Sequence, residues 1–327
     1  MNKNMELSKN VYQKDKLEQK PTRSGYGKGL VELGKKDKNI VALCADLTDS
    51  TKVGDFRKEF PDRFIEVGIA EQNMMGLAAG LALVGKIPFI STYAVFCPGR
   101  NWDQLRISVA YNNIPVKLTG AHSGVSVGAD GATHQALEDI AITRCLPNMT
   151  VLAPCDFIET RKATIAAAAT KGPVYLRFAR EATPVFTTEE TFFEIGKANI
   201  FREGKDVAII ACGPLVHEAL LAAESLAEEN ISVAVVDNHT IKPMDEKTIT
   251  EIAEKTGAVV TAEDHQIMGG MGSAVAEVLA KNCPVPMEMV GVQDRFGESG
   301  TPEELMTLFK LTAEDIKKAV KKVLKRK

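Results

Sequence analysis

Residues 63–85 read RFIEVGIAEQNMMGLAAGLALVG (Arg63–Gly85). The pattern is a short strand, a tight turn and a helix rich in Gly and Ala, with Glu71 near the start of that helix. A helix of small apolar residues does not usually open on an acid unless the acid has a partner. A carboxyl group in such surroundings tends to hold or share its proton. A site has use for that property when a heteroaromatic ring nitrogen must gain and lose a proton. The plainer reading is a Glu stabilised by the helix dipole, worth about 0.3–1 kcal/mol. The segments further along the chain weigh against it.

Working outward, short apolar runs alternate with helical patterns. Strands are expected at Asn39–Leu47, Arg63–Gly68, Ile87–Tyr93, Ile114–Gly120, Met149–Pro154 and Gly172–Phe178, with helices at Gly25–Lys36, Asn101–Tyr111 and Phe157–Ala169. A second series has strands at Val207–Gly213, Ser232–Asn238, Gly257–Asp264 and Pro286–Val292. Its helices are expected at His217–Glu228, Asp245–Lys255 and Gly272–Ala280. This alternation predicts an α/β chain of two doubly wound domains with mostly parallel sheets. The expected division is a flexible arm over 1–20, a first domain over 21–185, a linker over 186–205 and a second domain over 206–327. The Lys-rich tail, Ala313–Lys327, reads as a solvated terminal helix.

The 327 residues suffice for two ordinary domains, and 45% hydrophobic with 25% charged residues is a normal globular balance. A net charge of −3 gives no reason to expect nucleic acid or an anionic membrane as partner. The most apolar stretch, Met74–Val84, is too short to span a bilayer. The N-terminus lacks the apolar core of a secretory signal. Six cysteines without a CxxC pair argue against a zinc site or disulfide framework and fit a reducing cytoplasm.

Three stretches offer chemistry. Thr119–Asp139 (TGAHSGVSVGADGATHQALED) follows a strand and places His122, Asp130 and His134 in one Gly-rich loop. Ligands bind at strand carboxyl ends in such sheets. Three polar groups there are costly to bury without a ligand, although each alone reads as an ordinary hydrogen-bonding residue. Ser91–Arg106 (STYAVFCPGRNWDQLR) carries Tyr93 and Phe96, which suit a ring pocket, and Trp102, which suits the core. Arg23 and Arg180 are candidate anion binders, with surface charge as the alternative. Glu263–Leu279 (EDHQIMGGMGSAVAEVL) is a strand, a Gly-rich turn and a helix, but GGMGSAV does not match GxGxxG and gives no nucleotide site. His217 and His239 read as structural.

Together these motifs resemble the C-terminal half of transketolase, from about Pro21 to the end. The resemblance is carried by ADLTDST (Ala45–Thr51), IAEQNMMG with STYAVF, and GAHSGVSVGADGATHQALEDIA. It implies a thiamine-diphosphate pyrimidine-binding domain followed by a transketolase-type C-terminal domain. It assigns Glu71 to the aminopyrimidine ring, as catalytic proton carrier, and Tyr93 and Phe96 to holding that ring. His122, Asp130 and His134 match positions that contact sugar hydroxyls, His134 also as a proton relay. Arg23, Ser50 and Arg180 match positions around the sugar phosphate. The family's diphosphate and divalent metal (Mg2+ or Ca2+) are held by a separate domain with a GDG motif, and GADG at Gly128–Gly131 belongs to the sugar loop. The resemblance therefore implies a split transketolase of the pentose phosphate type. It would be a cytoplasmic heterotetramer with an N-terminal partner subunit, self-association, sugar phosphates as substrates and no metal ligand in this chain. The nearest rivals are the equivalent half of 1-deoxyxylulose-5-phosphate synthase and a related enzyme for another sugar phosphate. The beta subunit of 2-oxoacid dehydrogenases lies further off. A half that binds without turnover is the rival from a different class.

Overall fold

The computed structural model describes residues 6–327. In chain order the strands are β1 (Gln19–Pro21), β2 (Ile40–Cys44), β3 (Phe64–Glu66), β4 (Ile87–Tyr93), β5 (Lys117–Ala121), β6 (Thr150–Leu152), β7 (Val174–Arg177), β8 (Ala182–Pro184), β9 (Asn199–Arg202), β10 (Val207–Ala211), β11 (Val233–Asp237), β12 (Thr240–Lys242), β13 (Val259–Gln266) and β14 (Met287–Val292). The helices are α1 (Thr22–Lys36), α2 (Gly54–Glu59), α3 (Glu71–Leu83), α4 (Trp102–Gln104), α5 (Asp139–Arg144), α6 (Phe157–Ala169), α7 (Leu215–Glu228), α8 (Glu246–Thr256), α9 (Met271–Asn282), α10 (Pro302–Leu308) and α11 (Ala313–Leu324). A π-helical segment, Leu105–Ala110, prolongs α4.

Among the described residues two large sheets form. The first runs β12-β6-β7-β5-β4-β2-β3 and the second β14-β13-β10-β11-β9. Neighbours are parallel, except β12 on β6 and β9 on β11. Strands β2, β5, β10 and β11 are buried along their whole length. That is why they read as continuous apolar runs rather than alternating ones. The chain goes from β2 outward to β3, then back across β2 to β4, so the strand order reverses between β2 and β4. Ligands lodge at such switch points. Helix α1 lies so close on α6 that a Cβ at Gly25 would fall 2.2 Å from the Phe157 carbonyl oxygen. Only glycine permits that approach.

The expected flexible arm is corrected from Glu6 onward, and residues 1–5 lie outside the described residues. Val11 and Leu17 are buried in the core of the second sheet. The Val11 carbonyl oxygen is 2.8 Å from His217 Nε2, and β1 pairs with β8. The apolar residues of this segment are scattered among charged ones and show no period, yet Val11 and Leu17 suffice to anchor it. The expected linker is corrected as well. Phe186 is fully buried, and its amide and that of Thr187 donate to Asp156 Oδ2 at 2.9 and 2.7 Å. Asn199–Arg202 of that linker is strand β9. The sheets also do not divide cleanly by chain order, since β12 returns to the first sheet, with Thr240 paired to Leu152. The Lys-rich tail is helical, but α11 buries Ile316, Val320 and Val323 against the second sheet. Its spacing makes one apolar stripe beneath a charged face.

Candidate active site

Glu71 is the first residue of α3 and only 4% exposed. No side chain caps this helix, because Ala70 occupies the N-cap. A buried acid needs a partner, and the chain supplies one. Arg100 Nη1 donates to both carboxylate oxygens, at 3.2 and 3.3 Å. Asn101 Nδ2 donates to the Glu71 carbonyl at 3.2 Å, so the loop after β4 folds over the helix start. The Arg100 guanidinium lies 4.0 Å above the Phe96 ring centroid while half of its side chain stays exposed. Sequence reasoning missed Arg100. Its signal was a cation four residues after Phe96 in the same post-strand stretch.

Tyr93 ends β4, and its register partner is Ala121 at the end of β5. The next residue, His122, therefore falls beside Tyr93, and the two rings stack at 3.9 Å with 26° between planes. Tyr93 and Phe96 are 5.9 Å apart at 20°. His134 stands edge-on to both, at 6.0 Å from Tyr93 and 5.6 Å from Phe96. These are favourable aromatic geometries. The Thr133 hydroxyl is 2.8 Å from His134 Nδ1. His122 is 1% exposed and adopts a left-handed backbone, φ 58°. That conformation is costly for a side chain other than Gly, Asn or Asp. Burial, then the charges of Arg23, Arg180 and His134, pushes its imidazole down to about 3. His122 is thus neutral, and its buried Nδ1 has no hydrogen-bond partner among the described residues. A buried polar atom left open in this way favours a ligand.

Two arginines form the adjoining wall. Arg23, on the first turn of α1, donates from Nη1 to the Ser50 carbonyl at 2.8 Å, which ties down the loop after β2. Arg180, just past β7, donates to the Val127 carbonyl at 2.7 Å and lies 3.6 Å from Asp130 Oδ2. Burial, then Arg180, lowers Arg23 from its ordinary value. Like charges facing one space make it receptive to an anion. The structure therefore brings His122, His134, Asp130, Ser50, Arg23 and Arg180 together around Tyr93. Phe96 links this group to Glu71. Asp130 is paired with Arg180 and partly exposed. Trp102 is half-buried, with Nε1 donating to the Ile142 carbonyl at 2.7 Å, and His239 stacks on Phe193 within the core.

Among the described residues one group has metal-ligand proximity. Cys155, Glu159 and Asp237 bring their ligand atoms within 4.8 Å of one another. All three are buried, and none belongs to the site above. Burial, then Glu159, pushes the Asp237 carboxyl well above its usual range.

Residues 18–185 match the transketolase pyrimidine-binding domain and residues 196–316 the transketolase C-terminal domain. The chain is 47% identical to a transketolase C-terminal section of Methanocaldococcus jannaschii, over 94% of this chain and 97% of the relative. It is 46% identical to a 6-deoxy-6-sulfo-D-fructose transketolase subunit of a Clostridium species, over 95% and 97%. A solved structure described as a split gene transketolase, inactive beta4 tetramer, superposes with a TM-score of 0.88 at 49% identity, covering 93% of this chain and 98% of that one. The chain belongs to the transketolase family, as the C-terminal section of a split transketolase.

Proposed function

We propose that this subunit, joined to a separate N-terminal subunit, transfers a two-carbon ketol unit from a ketose phosphate to an aldose phosphate with thiamine diphosphate as cofactor. The observation that carries this reading is the stack of Glu71, Arg100 and Phe96. A guanidinium is planar and presents N–H donors. Here it lies on the Phe96 face and bonds the buried Glu71 carboxylate. The chain thus already accommodates a flat nitrogen group where an aminopyrimidine ring needs both contacts, so the residues fit the cofactor. Half of the Arg100 side chain is exposed, so solvent would be open to it if the ring took that place.

In this reading Tyr93 and Phe96 wall the ring, and Glu71 holds and returns a proton at its nitrogen. When bound, thiamine diphosphate supplies the electron sink for ketol transfer. The neutral His122, together with His134 and Asp130, holds and relays protons of sugar hydroxyls. Arg23, Arg180 and the Ser50 loop hold the anionic end of the sugar. Residues 21–185 form the pyrimidine-binding unit and 206–327 the C-terminal unit. The diphosphate and its divalent metal, Mg2+ or Ca2+, are assigned to the partner, in a heterotetramer. The inactive tetramer of the related split transketolase supports both self-association and the need for that partner. We place the complex in the cytoplasm, where six free thiols persist. No helix among the described residues is long and apolar enough to cross a membrane.

The test is ketol transfer from xylulose 5-phosphate to ribose 5-phosphate with thiamine diphosphate and magnesium, with each subunit alone and with both. Transfer is expected only in the mixture. A second reading keeps the chemistry and changes the sugar, since a relative acts on 6-deoxy-6-sulfo-D-fructose and two arginines suit a sulfonate as well as a phosphate. Transfer from the sulfosugar but not from xylulose 5-phosphate would select it. A mixture that binds cofactor and instead joins pyruvate to glyceraldehyde 3-phosphate would reassign the chain to 1-deoxyxylulose-5-phosphate synthesis.

A further inference from the structure

The loop that carries His122 and His134 is closed at a neck, and the neck is fastened to the C-terminal sheet. Ser123 bridges to Ala136, and the Gly124 amide donates to the Ala136 carbonyl at 2.9 Å. Gln135 Nε2 donates to the Val125 and Glu298 carbonyls, each at 2.9 Å. His122 and His134 each lie two residues before a neck residue, Gly124 and Ala136. Whatever sets the neck therefore sets both imidazoles.

The fastening comes from β13. The Val125 amide donates to Asp264 Oδ1 at 3.0 Å, and the Ser126 amide also approaches this carboxylate. Gly124 has φ +78°, and a Cβ there would lie 1.8 Å from Asp264 Oδ2, so the acid is pressed against the backbone. Arg177 Nη2 donates to the Asp264 carbonyl at 2.5 Å and to the Ala136 carbonyl at 3.4 Å, while its Nε donates to Asp139 Oδ2 at 2.9 Å. The Gln266 amide donates to the Leu137 carbonyl at 2.9 Å. Asp264 and Arg177 are 2% and 3% exposed. Buried, charge-assisted contacts of this kind hold geometry tightly.

We propose that Asp264, a residue of the C-terminal sheet, is a positioning residue that clamps the neck of the histidine loop and so aims His122 and His134 at the sugar. The inference rests on the functional reading above for its link to substrate, but the clamp itself is a property of the fold. It gives the C-terminal sheet a role in sugar binding through backbone amides, without touching cofactor or substrate.

The experiment uses the two-subunit complex with Asp264→Ala, Asp264→Asn and Gly124→Ala. Asn keeps an acceptor for the Val125 amide and is expected to stay within about threefold of the unsubstituted complex. Asp264→Ala is expected to raise the sugar-phosphate KM at least tenfold, with thiamine diphosphate affinity unchanged. Gly124→Ala forces the neck off the acid from the other side and should reproduce that split, even if Asp264→Ala proves unstable. Hydrogen exchange over residues 122–136 should quicken about tenfold in both, with β2 and α6 unaltered. Unchanged exchange in that loop overturns the clamp whether or not the complex turns over. An unchanged sugar KM, or equal loss of sugar and cofactor affinity, overturns the positioning role. An unsubstituted complex inactive on every sugar donor would sink the functional reading and leave the exchange result to decide the clamp.

Discussion

Two Gly-rich turns in this chain look alike in sequence and have opposite fates. Residues 122–138 run from β5 to α5, and residues 263–270 run from the end of β13 to the start of α9. The first turn sends its polar side chains into a shared wall, with His122 against Tyr93 and Asp130 beside Arg180. The second turns its acids inward. Glu263 accepts from the Met271 amide at 2.6 Å and from the Gly272 amide at 2.8 Å. The start of α9 is thereby filled by the chain's own carboxylate. A helix N-terminus invites an anion only while its amides are open. The difference teaches that glycine content marks where backbone comes close, and that satisfaction of the amides decides whether a ligand is wanted.

The contrast breaks most visibly at Glu71. Glu71→Gln in the two-subunit complex should lower turnover by about 10²–10⁴ while circular dichroism and cofactor-free stability stay unchanged. Turnover within tenfold would remove Glu71 from the chemistry.

Next come the two turns set against each other. His122→Ala and His134→Ala should each lower kcat/KM about 10–10²-fold, as expected for positioned polar and proton-relay groups. Glu263→Gln should leave kcat/KM within twofold. Equal losses from both turns would erase the distinction.

Stability should answer in reverse. Glu263→Ala strands two buried amides and should cost roughly 2 kcal/mol or more by chemical denaturation. Its charge also matters, because burial pushes the Glu263 carboxyl up to about 7 despite the two amides and Arg177. The folded state then binds a proton that the unfolded state releases near pH 4.5. This contribution is full below about pH 4.5 and is lost as pH rises to about 7, with a slope of at most about 1.4 kcal/mol per pH unit. Glu263→Gln should flatten that part of the stability profile, and an unchanged slope would refute the assignment.

The smallest effect is spectroscopic. His122 sits at about 3, so its ring nitrogens should show no charge transition between pH 5 and 8 by NMR. As pH falls from about 6.5 toward 3 the unfolded chain protonates first, and this group takes stability away from the fold. A His122 transition near 6.5 would mean that the pocket is wetter than its burial implies.

Much of this was legible in the chain, unevenly. Strand β4 was expected at Ile87–Tyr93 and helix α6 at Phe157–Ala169, and both are observed there. The helix announces its start, since Asp156 at the N-cap accepts from the Glu159 amide at 2.9 Å. Strands β1, β8, β9 and β12 were not seen. Each has three or four residues and pairs at an edge with a segment remote in sequence, so no local period records it. Arg100 went unseen for a related reason. Its meaning depends on Glu71, 29 residues earlier, and on a loop that folds back over α3.

The sequence by itself determined the alternation of buried strands and helices and the residue types of the site. Apolar period, capping and glycine are local and survive as a pattern in the chain. Only the tertiary structure decided that β12 crosses into the first sheet, that the N-terminal segment and the linker are packed, and that Glu71 is bonded to Arg100. It also decided that Glu263 closes one Gly-rich turn while Asp264 steadies the other. Those outcomes are set by which orphan donors and acceptors meet across the fold. A buried polar group takes whichever partner the packing brings within reach, and sequence spacing does not record that distance.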